Sequence, residues 1–383
     1  MGVALKVGIL TYHFSENYGA LFQAYALKKW FENQGYEAKF VNYQPSYVEE
    51  GGRFSFQRPL SKDNLKILFL KLVTFKEHFF GNKEQKKNFH EFRELYLGTS
   101  GIALKSKIDV ENNLKGYNLF VCGSDQIWKP SEHYGVDPVY FLDFEQAGST
   151  KARKISYAPS FGKSSLDNQY IVQTASLIKK LDGVSVREES GVDIVQSISG
   201  ITPFCVPDPT VLISDYTDIM KSYMTNKKDY VFCYALRSRE AIGGVAEHVA
   251  STLNAGLYSP HNPHKRWKQI GETVYPCPRQ WLYLLNSSKF VVTNSFHGSA
   301  LSILLNKPFV VVGLQGKKAT FNERVKNLLS LVGLESRFIQ EVSPNLVDEL
   351  MAKEIDWTAV NERLSELRGF GADYLLKELK AVG

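Results

Sequence analysis

The sequence has few cysteines and no long apolar stretch. Its four cysteines (Cys122, Cys205, Cys233 and Cys277) lie far apart and form no CxxC pair. This spacing argues against a disulfide framework and a metal site, and it predicts buried or half-buried thiols in a reducing compartment. No apolar run approaches the roughly eighteen residues that span a bilayer, and the first residues lack the regions of a signal peptide. We therefore expect a cytoplasmic protein.

The charge balance is modest. Lys and Arg number 46 against 40 Asp and Glu, a net charge of +6. This excess is too small and too dispersed to predict nucleic-acid binding, but it is compatible with anionic small substrates or an anionic membrane surface. With 44% hydrophobic residues the chain is not disordered, and 383 residues predict two domains. No internal repeat is visible.

Strand-like apolar runs alternate with helical periodicity along most of the chain. The run from Leu5 to Tyr12, the helical spacing from Leu21 to Phe31 and the run from Ala38 to Tyr43 form a βαβ opening. We predict an α/β protein with two Rossmann-like domains that face a cleft, with sites at the carboxyl ends of the strands. The predicted parts are a first domain at 1–214 with a mostly helical insertion at about 44–115, a second domain at 215–350, and a C-terminal helix within 351–383 that crosses back to the first domain.

The stretch 64–80 within the insertion admits two interpretations. Leu, Ile and Phe residues are interleaved there with Lys66, Lys71 and Lys76, which is typical of a basic amphipathic segment that rests on an anionic bilayer. The alternative is an insertion helix packed on the first domain. The alternative is favoured because apolar residues occur nearly all round the helix.

Two polar segments are expected at strand ends of the first domain. Asn17, Tyr18, Gly19 and Gln23 follow the first strand, where a glycine at a helix start lets a ligand approach the free amides. This stretch is neither GxGxxG nor a P-loop, and a simple turn and cap is the structural alternative.

The second segment, Gly123-Ser124-Asp125-Gln126-Ile127-Trp128, suits sugar hydroxyls, with Trp128 as a stacking surface. The alternative there is that Ser124 or Asp125 caps a helix.

Arg187 and His297 are the strongest candidates for chemistry. Arg187 ends a buried strand, where a guanidinium without a partner costs free energy. The planar array of N–H donors of this group suits a carboxylate or a phosphate. The alternative is that Arg187 pairs with Glu188 or Glu189. His297 lies in Ser295-Phe296-His297-Gly298, where a strand leads into a helix. Imidazole is the side chain best suited to proton transfer near neutral pH, and the helix N-terminus favours an anionic ligand beside it.

Together, these segments resemble the polysaccharide pyruvyl transferase family. The matching stretches, in family order, are Asn17-Tyr18-Gly19-Ala20 with Gln23, Gly123 to Trp128, Tyr157 to Gly162, Val186 to Ser190, Asp208-Pro209-Thr210 and Ser295 to Gly298. The resemblance implies a GT-B-like pair of Rossmann-type domains. It also implies transfer of a pyruvyl group from phosphoenolpyruvate to two hydroxyls of a sugar, in a cell-surface polysaccharide or its lipid-linked precursor, to form a cyclic ketal. By similarity, Arg187 would hold the donor anion and His297 would be the central catalytic residue, with no cofactor.

The sequence departs from the family at Ser295, where many members carry an arginine. Positive charge for the donor is then expected from Lys317, Lys318 or Arg324, of which Arg324 best matches a basic position of the family. The expected partners are phosphoenolpyruvate and a glycan acceptor, at the inner face of the membrane if 64–80 binds there. Two alternatives stay open: a nucleotide-sugar glycosyltransferase of GT-B architecture, and a non-catalytic glycan-binding protein.

Overall fold

The chain forms two compact units in a computed structural model. The structure describes residues 5–50, 64–65, 67–69, 71–72, 75, 81–99, 101–131, 134–148, 151–223, 229–236, 241–261 and 269–382. The first unit comprises Met1–Lys83, His90–Ile213 and Arg368–Gly383, and the second comprises Glu84–Phe89 and Ser214–Leu367.

The first unit is built on a parallel sheet with strand order β2-β1-β3-β4. Its strands are β1 (Lys6–Leu10), β2 (Glu37–Phe40), β3 (Leu119–Cys122) and β4 (Arg153–Ser156), and a short parallel pair follows, β5 (Ser185–Val186) with β6 (Phe204–Cys205). Every residue of β3 is buried, as expected for a parallel strand covered on both faces.

Helices connect these strands. They are α1 (Tyr18–Asn33), α2 (Ser46–Glu50), α3 (Lys83–Phe92) with a π-helical turn (Arg93–Leu97), α4 (Lys107–Asn113), α5 (Asn168–Ile178) and α6 (Glu189–Ser199). Most of α3, Glu84–Phe89, belongs to the second unit although the helix lies between β2 and β3 in the sequence. Between β2 and β3 the regular elements that the structure describes are helical, as the sequence predicts for the insertion.

The second unit carries a second parallel sheet with strand order β12-β11-β10-β7-β8-β9. Its strands are β7 (Tyr230–Tyr234), β8 (Gly256–Pro260), β9 (Glu272–Val274), β10 (Phe290–Thr293), β11 (Phe309–Val312) and β12 (Phe338–Ile339). Its helices are α7 (Ile242–Thr252), α8 (Pro278–Ser287), α9 (Phe296–Leu304), α10 (Asn322–Val332) and α11 (Pro344–Ala352). The predicted α/β class with two Rossmann-like domains is confirmed, while the cleft between them stays a prediction.

The last helix, α12 (Trp357–Lys380), contributes residues to both units, and its part from Arg368 belongs to the first. Tyr374 donates a hydrogen bond of 3.0 Å to the carbonyl of Ser156, at the end of β4. Glu378 forms an ion pair with Arg153 on the same strand. These contacts attach the end of the helix to the first sheet. None of the helices in the described part of the chain combines the length and apolar character that crossing a bilayer requires.

Candidate active site

The carboxyl ends of the first unit's strands carry a chain of buried polar side chains. Gln23 Nε2 of α1 donates to Thr11 Oγ1, just after β1, at 3.0 Å. Thr11 Oγ1 donates to the carbonyl of Ser124, just after β3, at 2.8 Å. Ser124 Oγ in turn donates to Asp208 Oδ2 at 2.9 Å. We call Gln23, Thr11, Ser124, Asp208, Arg187 and Glu188 the edge network.

Arg187 lies at the centre of this network, and its side chain is only 2% exposed. Its Nη1 is 2.8 Å from Asp208 Oδ2, and its Nε is 3.0 Å from Glu188 Oε1. Burial acts to lower the pKa of Arg187, but the two carboxylates outweigh burial and raise that pKa. The guanidinium is therefore paired, and the pairing with Glu188 that the sequence left as the alternative is present.

Asp208 joins three loops, although the sequence singled it out only as part of a family motif. Its Oδ2 accepts from Arg187 and Ser124, while its Oδ1 accepts from the backbone N–H of Thr210 at 3.0 Å and from Thr210 Oγ1 at 2.9 Å. The carboxylate is 1% exposed. A buried carboxylate that accepts from this many donors fixes the loops that supply them.

The loop after β3 has a left-handed residue at its tip. Asp125 has a φ of +74° and a half-buried side chain. Its carbonyl accepts from the N–H of Ser160 at 2.9 Å, in a loop where Ala158 also has a positive φ, of +56°. Backbone strain of this kind in adjacent loops is concentrated at functional sites. Turns rather than a helix follow Asp125, so the alternative that Ser124 or Asp125 caps a helix is wrong.

Two other residues of this loop differ in accessibility. Gln126 is half-buried and packs against Gly162, where a Cβ would stand 2.6 Å from Gln126 Oε1. Trp128 is 1% exposed, stacks on Phe141 with ring centroids 4.8 Å apart, and donates from its indole N–H to the carbonyl of Tyr140. The expectation that Trp128 offers a stacking surface for sugar is therefore wrong, because its faces are used in the core.

Among the predicted site residues after β1, Asn17 is the exposed one. Its Oδ1 caps α1 by accepting from the N–H of Ala20 at 3.3 Å, which is the capping role of the alternative interpretation. Tyr18 and Gly19 are buried in the first turn, and Gln23 is fully buried in the edge network. Gly123 is buried too, with a carbon of Leu27 3.0 Å from the position of its missing Cβ.

The second unit presents His297 at the start of a helix. Ser295 is the N-cap of α9 and its Oγ accepts from the N–H of Gly298 at 3.3 Å. His297 lies in the first turn of α9, where there is no acidic residue, and it is 7% exposed. The partial positive charge of a helix N-terminus favours anionic ligands. Ser295 is 2% exposed and neutral, so it cannot replace the charge of the family's arginine.

Basic residues follow β11. Arg324 lies on α10, half-buried, with its guanidinium 5.9 Å from the ring centroid of Phe321. Lys317 and Lys318 belong to the short 3₁₀ segment Gly316–Phe321, and their side chains lie outside the described residues. In the described part of the chain, no group of three or more His, Cys, Asp or Glu side chains is arranged to hold a metal ion.

Solved structures of similar fold include the glycosyltransferase SnogD from Streptomyces nogalater, at 11% identity, 100% coverage of both chains and a TM-score of 0.45. They also include MnaA of S. aureus with UDP, at 11% identity, 94% and 91% coverage and a TM-score of 0.46. A UDP-GlcNAc 2-epimerase from Methanocaldococcus jannaschii matches at 8% identity, 92% and 93% coverage and a TM-score of 0.46. At these values the similarities carry no functional inference.

By sequence, no curated protein matches the chain. The family model for polysaccharide pyruvyl transferase, in contrast, matches residues 17–316. The match includes the edge-network residues from Gln23 onward, the loop after β3 and the Ser295-Phe296-His297-Gly298 segment, and it ends just before Lys317. Because the match covers most of the chain and contains these polar segments, the chain belongs to the polysaccharide pyruvyl transferase family.

Proposed function

We propose that the chain transfers the pyruvyl group of phosphoenolpyruvate to two hydroxyls of a sugar, in a cell-surface polysaccharide or its lipid-linked precursor. The products are a cyclic ketal and inorganic phosphate. Family membership supports a transferase of this kind. The observation that carries the proposal is the position of His297 in the first turn of α9, a turn that contains no acidic residue.

The reaction needs one proton donor and one or more proton acceptors. Protonation of C3 turns the methylene of the enol phosphate into a methyl group and makes C2 electrophilic. One sugar hydroxyl then attacks C2 and gives its proton to the imidazole that protonated C3, and the C–O bond to phosphate breaks. The second hydroxyl closes the ring while its proton leaves with phosphate. His297 is the proposed donor to C3, because an imidazole can give a proton near neutral pH.

The other proposed site residues form two groups, one that suits the sugar acceptor and one of basic side chains that suits the anionic donor. Asn17 and Asp125 expose polar atoms at the carboxyl edge of the first sheet, and such groups suit the hydroxyls of a sugar acceptor. We assign the anionic groups of phosphoenolpyruvate to Lys317, Lys318 and Arg324, which follow β11. Cationic side chains stabilise the developing phosphate charge in such a transfer.

The decisive experiment is mass spectrometry of candidate lipid-linked oligosaccharides incubated with the protein and phosphoenolpyruvate. Addition of a pyruvyl group together with release of phosphate supports the proposal. A thermal-shift screen of phosphoenolpyruvate against nucleotide sugars tests the glycosyltransferase alternative, which predicts stabilisation by the nucleotide sugars alone. Acceptor binding with no turnover of phosphoenolpyruvate supports a glycan-binding protein instead.

We further propose that the activity is located at the cytoplasmic face of an anionic membrane. Four side chains of the insertion, spaced three, four and three residues apart, share one helical face and are about half exposed: Leu65 (54%), Leu68 (49%), Leu72 (59%) and Phe75 (60%). Ile67, on another face, is 1% exposed. An exposed apolar face beside an exposed lysine, Lys71, is typical of a helix that rests on anionic lipid. Most of 64–80, including Lys66 and Lys76, lies outside the described residues.

Flotation with vesicles of phosphatidylglycerol and phosphatidylcholine tests the membrane proposal. The wild-type protein should float with the anionic vesicles, and a variant with Leu68→Ser and Leu72→Ser should stay at the bottom of the gradient. The matched control is Val172→Ser, which removes an apolar side chain 81% exposed on α5. Equal flotation of all three proteins, or of none, contradicts the proposal.

A further inference from the structure

Two stacked tyrosines of the first unit form an exposed aromatic pair. The rings of Tyr47 and Tyr134 are nearly parallel, with centroids 4.5 Å apart and an angle of 11° between their planes. We propose that Tyr134, supported from behind by Tyr47, is a binding surface for one pyranose ring of the glycan acceptor. This inference rests on the proposed function, which supplies the acceptor, and it adds an apolar contact to the polar groups already assigned there.

The position of the pair follows from a cluster of tyrosines around Asp137. Asp137 Oδ2 accepts from the hydroxyls of Tyr43 and Tyr47, each at 2.9 Å. Tyr43 follows β2 and Tyr12 follows β1, and both rings pack edge-on against Tyr140, with centroids 5.4 Å and 5.2 Å away. Because β1 and β2 are parallel neighbours, the cluster lies at the carboxyl edge of the first sheet.

Tyr12 connects this cluster to the loop after β3. Its hydroxyl lies 3.5 Å from the carbonyl of Gln126, the residue after Asp125. Burial raises the pKa of Tyr12, and the charges of Asp125 and Asp137 add to that effect, as expected for a phenol between the two carboxylates. The aromatic pair and the proposed acceptor group Asp125 therefore belong to one stretch of the same edge.

Tyr134 combines exposure with a fixed position. The residue is 52% exposed, although Tyr47 covers part of its ring. Ser131 and Gly135 exchange two backbone hydrogen bonds of 2.8 Å, and Ser131 Oγ accepts from the N–H of Tyr134 at 3.3 Å. Behind the ring, Tyr47 is bonded to Asp137, which is 5% exposed. A side chain held in place before binding loses little conformational freedom when a ligand covers it.

The chemistry of the pair suits a sugar ring. The face of a tyrosine ring carries partial negative charge. In β-glucose and β-galactose one face of the pyranose presents only axial C–H groups, which carry partial positive charge and pack flat on such a ring. The hydroxyls at the rim of the sugar then point toward polar groups such as Asp125. Tyr134 thus supplies the exposed aromatic surface that the sequence predicted at Trp128, which the structure buries in the core.

Saturation-transfer NMR titration tests this surface on the full chain without phosphoenolpyruvate. The probes are methyl β-D-glucopyranoside and methyl β-D-galactopyranoside, and at least one should bind wild type. Tyr134→Leu should weaken its Kd by about threefold to tenfold, because leucine keeps an apolar side chain but has no aromatic face. Tyr134→Phe keeps the ring and should bind within about twofold of wild type. The matched control is Phe370→Leu, which removes an aromatic ring 49% exposed on α12 of the same unit and should leave the Kd unchanged.

Three results would overturn the inference: binding of neither glycoside by wild type, equal Kd values for wild type and Tyr134→Leu, or equal weakening by Tyr134→Leu and Phe370→Leu. Weakening by Tyr134→Phe as large as that by Tyr134→Leu also overturns it, since the hydroxyl rather than the ring would then bind the sugar. Pyruvyl transfer is measured separately. Glycoside binding that depends on the ring of Tyr134, with no release of phosphate from phosphoenolpyruvate, contradicts the proposed function and leaves the sugar surface in place.

Discussion

Gly298 lies so close to Thr293 that a Cβ on this glycine would stand 2.4 Å from Thr293 Oγ1. The threonine cannot easily move away. Its hydroxyl donates to the carbonyl of Tyr234 at 2.8 Å and accepts from the N–H of Ser295 at 3.1 Å. The glycine after His297 therefore lets α9 begin directly against the end of β10, and this contact fixes where the imidazole lies.

Gly298→Ala should displace the first turn of α9 and lower both stability and turnover. Overpacking of a filled core costs about 1–3 kcal/mol, and a small shift of a catalytic group reduces the rate further. Urea unfolding and phosphate release from phosphoenolpyruvate measure the two effects. The control is Gly244→Ala on α7, where nothing lies within 4 Å of the added carbon and alanine favours the helix. Equal behaviour of the two variants would show that the contact is unimportant.

His297→Gln should lower phosphate release by about a hundredfold or more, because glutamine cannot supply the proton to C3. The free energy of unfolding should change little, since the amide fills a similar volume in the first turn of α9. The assay measures release with acceptor present, and His90→Gln serves as control because that imidazole is 64% exposed on α3. Turnover close to wild type in His297→Gln removes His297 from the mechanism.

Strand positions followed closely from apolar runs. β10 (Phe290–Thr293) and β11 (Phe309–Val312) each coincide with a run of four apolar or β-branched residues, all of them buried, as expected for parallel strands covered on both faces. β8 and α8 were not predicted. β8 begins with a glycine and ends with a proline, two residues that usually mark turns, and α8 has a serine and an asparagine at its end. α1 begins at Tyr18 rather than Leu21 because the cap at Asn17 starts it earlier.

The candidate site was only partly predictable. The polar residues that follow strands of the first domain in the sequence lie at one edge of the first sheet, since topology brings those strand ends together. The partners within that edge were not predictable. Ser124 and Arg187 bond to each other across 63 positions of sequence, and no local pattern encodes a contact at that separation. Gln23 and Arg187, both predicted as site residues, bond to other members of the edge network: Gln23 to Thr11, and Arg187 to Asp208, Glu188 and Ser124.

Tyr157→Phe should leave the protein as stable as wild type or up to about 1 kcal/mol more stable. The Tyr157 hydroxyl is buried and has no hydrogen-bond partner among the residues that the structure describes, and a buried unpaired polar group is costly. The same hydroxyl would stand 2.5 Å from a Cβ added at Gly371 of α12. Urea unfolding measures the change, and a clear loss of stability in Tyr157→Phe would mean that the hydroxyl has a partner after all.

Gly371→Ala should then destabilise wild type by about 1–3 kcal/mol, because the added carbon meets Tyr157 where α12 packs on the first unit. The cost should fall by half or more in the Tyr157→Phe background, where the nearest remaining atoms, of Leu212 and Pro207, are 3.1 Å away. A double-mutant cycle gives the coupling directly. Additive effects of the two substitutions would contradict the packing described for α12.

His13 should make the protein sensitive to mild acid. Its ring is fully buried, stacks on Phe40 and contacts the carbonyl of Thr11 at 2.9 Å. Burial lowers the pKa of His13 below its ordinary value, although hydrogen bonds to Asn42 and Thr11 oppose this and the charge of Arg93 reinforces it. The unfolded chain therefore binds a proton that the folded chain does not. The contribution of His13 to the free energy of unfolding is complete at pH values above about 6.5, the pKa of the unfolded chain. It decreases at lower pH, by at most about 1.4 kcal/mol per pH unit.

Substitution of this residue tests the source of that pH dependence. In His13→Asn the amide can still donate to the carbonyl of Thr11, but no proton is taken up on unfolding, so stability should fall less between about pH 7 and about pH 5 than in wild type. Urea unfolding across this range measures the slope for both proteins and for His90→Gln, which should match wild type because that ring is exposed. If His13→Asn keeps the wild-type slope, another group is responsible. A steeper slope in the variant would mean that the buried ring is charged, held by the oxygens of both Thr11 and Asn42.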